Sequence, residues 1–346
     1  MTASTAAPGQ PACRLLELMS GAWATQALAV TAEMRLADHL AGGMSTEELA
    51  ATVGADRRGL HRLMRYLASL GVLRTVGDRF ELTEVGQLLR SDQANSMRVL
   101  ASLYGGPFYE SFAALGRAVR TGEDSFTHIF GQHHFDFFAE RPELEFNQAM
   151  AVSTAALQRV TEVVEFTGAR VVVDVGGGNG ELLKHILAAH PHLRGVLFDR
   201  PDTLASAKAN MVRYLSRCDL VPGDFTSRVP AGGDMYVLSR VLHDWDDQRC
   251  AEILKRCAES MSATAELLVI ERLLSESNSA SLAAAWDIHM LCNVGGEERT
   301  VDHYRSLLAD AGLQLRHQHQ LPLEFELLRA TKSVENQVES TPPTSI

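Results

Sequence analysis

Apolar and polar positions divide the chain into three stretches with different periods. Residues 13–41 carry Leu15, Leu18, Met19, Ala22, Trp23, Ala27 and Val30 at helical spacing, which predicts a long amphipathic helix. Ser45 and Glu48 have capping-box spacing for a short helix ending near Gly54. Asp56 is placed to cap the next helix, whose apolar face is Leu60, Leu63, Met64, Leu67 and Leu70, with Gly71 as the stop. VLRTVGDRFELT (72–83) then reads as a hairpin around Gly77–Asp78. Helix, helix and β-wing together make a winged-helix pattern. Residues 95–165 read as further helices with two aromatic clusters, SLYGGPFYESF (102–112) and HIFGQHHFDFF (128–138).

From residue 168 the period changes to strand–helix alternation. VVVDV (171–175), GVLFD (195–199), MYVLSR (235–240) and LLVIE (267–271) are short apolar strands, with helical patterns at 181–190 and 247–261 between them. Such alternation predicts an α/β fold, a Rossmann-like doubly wound parallel sheet behind an N-terminal helical, winged-helix-like domain. RHQHQLPLEFELLRA (316–330) reads as a closing antiparallel pair, and the polar residues 335–346 as a disordered tail. The expected division is 1–100, a helical linker over 101–165 and an α/β domain over 166–334. A length of 346 residues agrees with two domains of roughly 100–200 residues each.

Charge narrows the function of the front module. Arg57, Arg58, His61, Arg62 and Arg65 lie where a winged helix reads DNA, yet residues 1–100 balance ten basic against ten acidic residues. The whole chain is at −11. No nucleic-acid partner is expected, and the arginines read as a solvated face. No apolar run approaches the roughly 18 residues a membrane helix needs, so no membrane partner is expected either. The five cysteines form no CxxC pair or disulfide-like framework, which fits a reducing cytoplasm. The apolar face Leu15–Val30 has no evident partner inside so small a unit, which points to a homodimer through residues 1–100.

The glycine turn after the first α/β strand, Gly176, Gly177, Gly178 and Gly180, is ambiguous alone. A dinucleotide fingerprint starting at Gly176 wants glycine where Glu181 stands, and no Gly-Lys-Ser/Thr closes a phosphate loop. What remains is DxGxGxG, with Asp174 on the strand. An acid there repels a pyrophosphate and attracts an adenosyl ligand bearing an ammonium and a sulfonium. Asp199 ends the next strand, placed to accept hydrogen bonds from ribose hydroxyls, and GDF (223–225) brings Asp224 beside Phe225, which can lie against a flat base. Asp174, Gly176, Asp199, Asp224, Ser239 and Arg240 all map to strand carboxyl ends, where open α/β sheets bind ligands.

DVGGG, GDF, VLHDWDD (241–247) and GGEERT (295–300) together resemble the class I S-adenosylmethionine-dependent O-methyltransferases. The resemblance is closest to the caffeate/hydroxyindole-type small-molecule family that includes bacterial polyketide-tailoring enzymes, and it runs from the front module to residue 330. It implies an N-terminal dimerisation domain, S-adenosylmethionine as cofactor, no metal, and an aromatic small-molecule acceptor methylated on a phenolic hydroxyl. By the same resemblance His243 is the general base, flanked by Glu271 and Glu298. The cofactor set is Asp174, Gly176, Gly178, Asp199, Arg200, Gly223, Asp224, Phe225, Ser239, Arg240, Asp244 and Trp245. Asn147 and Met150 of FNQAM, with Trp286, Asp287, Met290 and Asn293, are the expected acceptor-binding residues.

Plainer roles exist for several of these. Trp245 and Met150 suit core packing, and Asp244 or Asp246 suits a helix cap. The HxH pairs at 190–192 and 317–319 have no third ligand at recognisable spacing. Two other functions share the motifs: a tailoring enzyme such as a hydroxylase that keeps the cofactor without methyl transfer, and a winged-helix regulator.

Overall fold

The computed structural model describes residues 10–275 and 281–333. The expected polar tail at 335–346 lies outside them. Two compact units are present, Met1–Glu110 with Glu143–Val152, and Ser111–Pro142 with Ser153–Ile346.

The first unit opens with helix Gln10–Glu33. The helix expected over 13–41 is broken: Arg35 takes the left-handed conformation at φ 51°, and a second helix, Leu36–His39, starts after it. An L-residue in that region cannot continue a right-handed helix. After strand β1 (Met44–Ser45), helix Thr46–Val53 starts with the expected capping box. Ser45 Oγ accepts from Glu48 N at 3.2 Å, and Glu48 Oε2 accepts from Ser45 N at 2.8 Å. Asp56 Oδ1 caps helix Arg57–Ser69 through Gly59 N at 2.7 Å. The hairpin is β2 (Leu73–Val76) and β3 (Arg79–Leu82), and β1 adds to the β3 edge. Leu49, Leu60, Met64, Leu67 and Phe80 close the core of this unit. On the would-be recognition helix, Arg57 pairs with Glu47, and His61 Nδ1 lies 3.1 Å from Thr46 Oγ1.

Leu15, Leu16, Leu18, Met19 and Trp23 on the first helix are 57–69% exposed. The later part of that helix packs on helix Arg98–Gly105 at very close range. Gln26 Nε2 donates to Gly105 O at 2.8 Å, and a Cβ on Gly105 would fall 2.0 Å from Ala29 Cβ.

In the second unit β4 (Val171–Val175), β5 (Arg194–Asp199), β6 (Cys218–Pro222), β7 (Met235–Ser239) and β8 (Glu266–Arg272) run parallel. β9 (Leu313–Gln320) and β10 (Phe325–Lys332) form the expected antiparallel pair, with β10 against β8. The sheet order is β6-β5-β4-β7-β8-β10-β9. β6 was not foreseen, because CDLVP shows neither a continuous apolar run nor clean alternation, and only Cys218 in it is buried. Apolar residues on both sheet faces build two cores under flanking helices. Strand order reverses between β4 and β7, so the crevice of this sheet opens at the carboxyl ends of those strands. Among the described residues no helix is long and apolar enough to cross a membrane.

Gly105→Ala tests the helix crossing in the first unit. Neither Cβ can rotate away, so the substitution should cost roughly 1–3 kcal/mol of stability, as overpacked cores do. Thermal unfolding by circular dichroism checks this; an unchanged melting temperature would contradict the packing.

Candidate active site

The glycine turn is tied to β5 by hydrogen bonds. Gly176 N donates to Phe198 O at 2.8 Å, and Gly178 N donates to Asp199 Oδ2 at 2.8 Å. Asp199 Oδ1 accepts from Arg200 N at 2.7 Å, and Gly223 N donates to Asp199 O at 3.0 Å. Asp199 therefore fixes the turn, its own loop and the start of the β6 loop. Burial raises its pKa.

Asp174 sits beneath the turn at 1% exposure, and neither carboxylate oxygen has a hydrogen-bond partner among the described residues. Burial, then the nearby charge of Asp199, raise its pKa to about 7, opposed by Arg240. Ser239 Oγ, at the end of β7, is likewise buried without a partner. A buried acceptor pair of this kind costs free energy unless a ligand donates to it. Arg240 is half-buried with φ 56°, and Nη2 donates to Thr154 Oγ1 at 2.6 Å. Asp224 accepts from Thr226 N at 2.8 Å and Thr226 Oγ1 at 2.7 Å, in a tight turn after β6. Beside it the Phe225 and Trp245 rings meet edge to face, with centroids 6.1 Å apart. These donors, acids and rings fit a cationic nucleoside such as S-adenosylmethionine.

Next to this crevice stands a buried cluster around His243. Glu271 Oε1 accepts from Val241 N (3.0 Å) and Leu242 N (2.9 Å), which fixes the loop leaving β7. Its Oε2 lies 3.5 Å from His243 Nδ1. Glu298 Oε1 is 3.0 Å from the same nitrogen, and Asp244 Oδ1 is 3.6 Å from Nε2. Burial pushes the imidazole toward the neutral form, but Glu271, Glu298 and Asp244 outweigh it and raise its pKa to about 10. Burial also raises Glu271 to about 7 and Asp244 to about 6. One ligand atom each from His243, Glu271 and Glu298 lie within 4.8 Å of one another, a spacing a metal ion could also use.

Two features missing from the sequence reading hold the cluster together. Arg299, with a fully buried side chain, donates to Leu242 O at 3.1 Å, Trp245 O at 2.8 Å and Asp247 Oδ1 at 2.9 Å. Its position inside GGEERT was a signal, but no role followed from spacing. Gly296 is the second: a Cβ there would fall 2.0 Å from His243 O. Of the alternatives at the motif's acids, Asp246 is the helix cap, accepting from Arg249 N at 2.8 Å.

Helix Leu282–Asn293 carries four of the expected acceptor residues. Asp287 Oδ1 accepts from Glu298 N at 2.9 Å, so it seats the partner of His243. Asn293 uses both ends of its amide internally: Oδ1 accepts from Ser111 Oγ at 3.1 Å, and Nδ2 donates to His289 O at 3.0 Å. Trp286 lies under the Arg272 guanidinium at 4.3 Å. Met290 is buried. Asn147 and Met150 belong to the first unit, on helix Phe146–Ala155.

A doubly wound sheet closed by an antiparallel hairpin, with an acid beneath a glycine turn at the switch point, defines the S-adenosylmethionine-dependent methyltransferase class. Within it, the O-methyltransferase domain family model matches residues 112–314, and the O-methyltransferase dimerisation domain matches residues 16–92. The chain belongs to this O-methyltransferase family. It is 42% identical to the 3-amino-4-hydroxybenzoate 4-O-methyltransferase of Streptomyces cremeus, over 95% of this chain and 92% of that protein. The crystal structure of LaPhzM is similar at a TM-score of 0.87 and 37% identity, covering 93% of this chain and 99% of that one. NcsB1, an O-methyltransferase from neocarzinostatin biosynthesis solved with S-adenosylmethionine and 2-hydroxy-5-methyl naphthoic acid, is similar at a TM-score of 0.77 and 31% identity. That match covers 90% of this chain and 96% of NcsB1.

Gly296→Val should drive the GGEERT loop away from His243 O and unseat Glu298. Turnover should fall at least tenfold while S-adenosylhomocysteine affinity falls less, since the added side chain meets the backbone at His243 and Asp244 and not Asp174, Asp199 or Asp224. Calorimetry alongside an activity assay separates the two; wild-type turnover in the variant would contradict this role for the close approach.

Proposed function

We propose that the protein methylates a phenolic hydroxyl of an aromatic, polyketide-type small molecule in secondary metabolism, with His243 as the general base. The observation that carries this reading is the 3.0 Å contact of His243 Nδ1 with Glu298 in a buried cluster at the sheet's carboxyl edge. S-adenosylmethionine, when bound, supplies an electrophilic methyl group on a sulfonium. Asp174, Ser239 and Arg240 would hold its amino-acid end, Asp199 its ribose, and Asp224, Phe225 and Trp245 its base, with Gly176, Gly178, Arg200, Gly223 and Asp244 completing the crevice. The hydroxybenzoate in the name of the Streptomyces cremeus enzyme and the naphthoic acid bound to NcsB1 support an aromatic acceptor here. Trp286 and Met290 are proposed to line its site.

The chemistry asked of the protein is alignment and proton removal. With Nδ1 held by Glu298, Nε2 is the nitrogen that takes the phenolic proton. A phenol near pKa 10 and an imidazole raised to about 10 are closely matched, so the transfer is nearly isoenergetic. Glu271 and Glu298 stabilise the imidazolium that results. We read this cluster as proton-binding and propose no metal, because Glu271 already serves two backbone N–H groups and Glu298 the imidazole.

Residues 1–100 are proposed to form the homodimer contact, 101–165 to contribute to the acceptor site, and 166–334 to hold the cofactor and the catalytic groups. Five free thiols support a reducing cytoplasm as the place of action.

His243→Ala should lower turnover of a phenolic acceptor by roughly 10²–10⁴ and leave cofactor binding intact, with the loss shrinking at high pH, where the phenol ionises unaided. In the wild type, activity should rise with pH through neutrality, because the working form is the unprotonated imidazole of a base raised to about 10. Glu298→Gln removes a charge that supports the imidazolium, so it should move that rise to lower pH and lower the high-pH plateau, a milder loss than that of His243→Ala. pH–rate profiles of the three proteins decide; near-normal turnover by His243→Ala at neutral pH would remove the base from the mechanism.

For the dimer, Trp23→Glu places a charge in the apolar face of the first helix. Light scattering at micromolar concentration should report a dimer for the wild type and a monomer for the variant. A monomeric wild type would overturn the assignment.

A further inference from the structure

The aromatic cluster HIFGQHHFDFF supplies none of the cofactor or catalytic residues named above, yet it sits at the crevice. Helix His134–Ala139 follows helix Ser125–Phe130 through a turn at Gly131. One side of it is anchored: Phe137 and Phe138 are buried against Phe126, with ring centroids 5.1 and 5.9 Å away. Arg141 lies 3.8 Å above the Phe137 ring and donates to Phe137 O at 3.0 Å.

The remaining side makes two contacts that locate it. The Phe135 ring lies 6.4 Å from Trp245, tilted by 36°. Asp136 Oδ1 accepts from Arg200 Nη2 at 2.9 Å. Trp245 follows β7 and Arg200 follows β5, and these strands flank β4 on either side. The two contacts therefore bracket the end of β4, where the glycine turn leaves the sheet.

We propose that helix His134–Ala139 is the outer wall of the cofactor crevice, with Phe135 and Asp136 as residues that retain the bound adenosyl ligand. This rests on the reading of that crevice as the S-adenosylmethionine site. Phe135 extends the aromatic pair of Phe225 and Trp245 into a row of three rings. Asp136 holds Arg200, whose backbone N–H is bonded to Asp199, the acid assigned to the ribose. Arg200 also reaches Asp202 at 3.2 Å, so its guanidinium lies between two carboxylates. The Asp136–Arg200 pair is about half exposed, with side chains 52% and 47% accessible. Exposed pairs are weak and screened by salt, which suits a wall that must open to release product at every turnover.

The test is the dissociation rate of S-adenosylhomocysteine from the full-length protein, followed by stopped-flow tryptophan fluorescence during displacement by excess S-adenosylmethionine. Asp136→Asn should release it roughly two- to fivefold faster, the range that an exposed ion pair supports. Phe135→Ala should release it on the order of tenfold faster, in line with a lost aromatic contact. Phe135→Leu, which keeps apolar bulk, should fall between. High salt should speed release from the wild type and leave Asp136→Asn almost unchanged. Unliganded melting temperatures of Asp136→Asn and Phe135→Leu should match the wild type, which a purely structural role would not allow. Release within 1.5-fold of wild type in both Asp136→Asn and Phe135→Leu would overturn the wall. If the wild type failed to bind S-adenosylhomocysteine at all, the cofactor assignment itself would fall.

Discussion

A single buried guanidinium joins the two motifs on which the site depends. Arg299 reaches the carbonyls of Leu242 and Trp245, on either side of His243 and Asp244, and closes on the carboxylate of Asp247. A cation with no exposed side-chain surface is costly to desolvate, and carbonyl dipoles plus the carboxylates of Asp247 and Glu297, the latter at 3.0 Å, offset that cost only in good geometry. The requirement runs in both directions. The loop after β7 must curl so that its carbonyls face Arg299, and the GGEERT segment must approach closely enough to let them. A parallel bridge between Leu273 and Arg299 fixes the second segment against the strand that carries Glu271. Once both are seated, Glu298 has little choice but to face His243.

Electrostatics then divides the sheet edge into two regions with different tasks. On the β4–β5 side, Asp174 is buried and Asp199 half-buried, and burial raises the pKa of both carboxylates. On the β7–β8 side, the acids surround a histidine and make it more basic. Burial alone would neutralise every one of these groups. The difference lies in the partner: the acids of the second region face an imidazole, and the proposed partner of the first is the cation of the cofactor. In the function proposed, negative charge serves both to attract a cationic cofactor and to make His243 more basic.

Much of this was legible in the sequence. The strands of the α/β unit could be read because they are near-continuous apolar runs, and the capping box Ser45–Glu48 because its two hydrogen bonds lie within one helical turn. Asp174, Asp199, Asp224, Ser239 and Arg240 could be assigned to one edge because strand ends in a parallel sheet share a side. β6 escaped, since a strand near the sheet's edge with one buried residue leaves little trace in the pattern. The break at Arg35 escaped as well, because a single left-handed residue does not disturb helical spacing.

The sequence by itself determined most of the elements, the motif proposed to carry the base and which acids stand at strand ends. Those properties follow from local period and from residue chemistry at short range. Only the tertiary structure decided that Glu298, 55 residues from His243, lies 3.0 Å from its Nδ1. It likewise decided that Asp287 seats Glu298, that Asn293 is spent on Ser111 and His289, and that Phe135 and Asp136 bracket the glycine turn. Each of these is a contact between distant segments, set by how helices pack on the sheet. Basicity belongs with them, because it depends on burial and on charges that folding brings together.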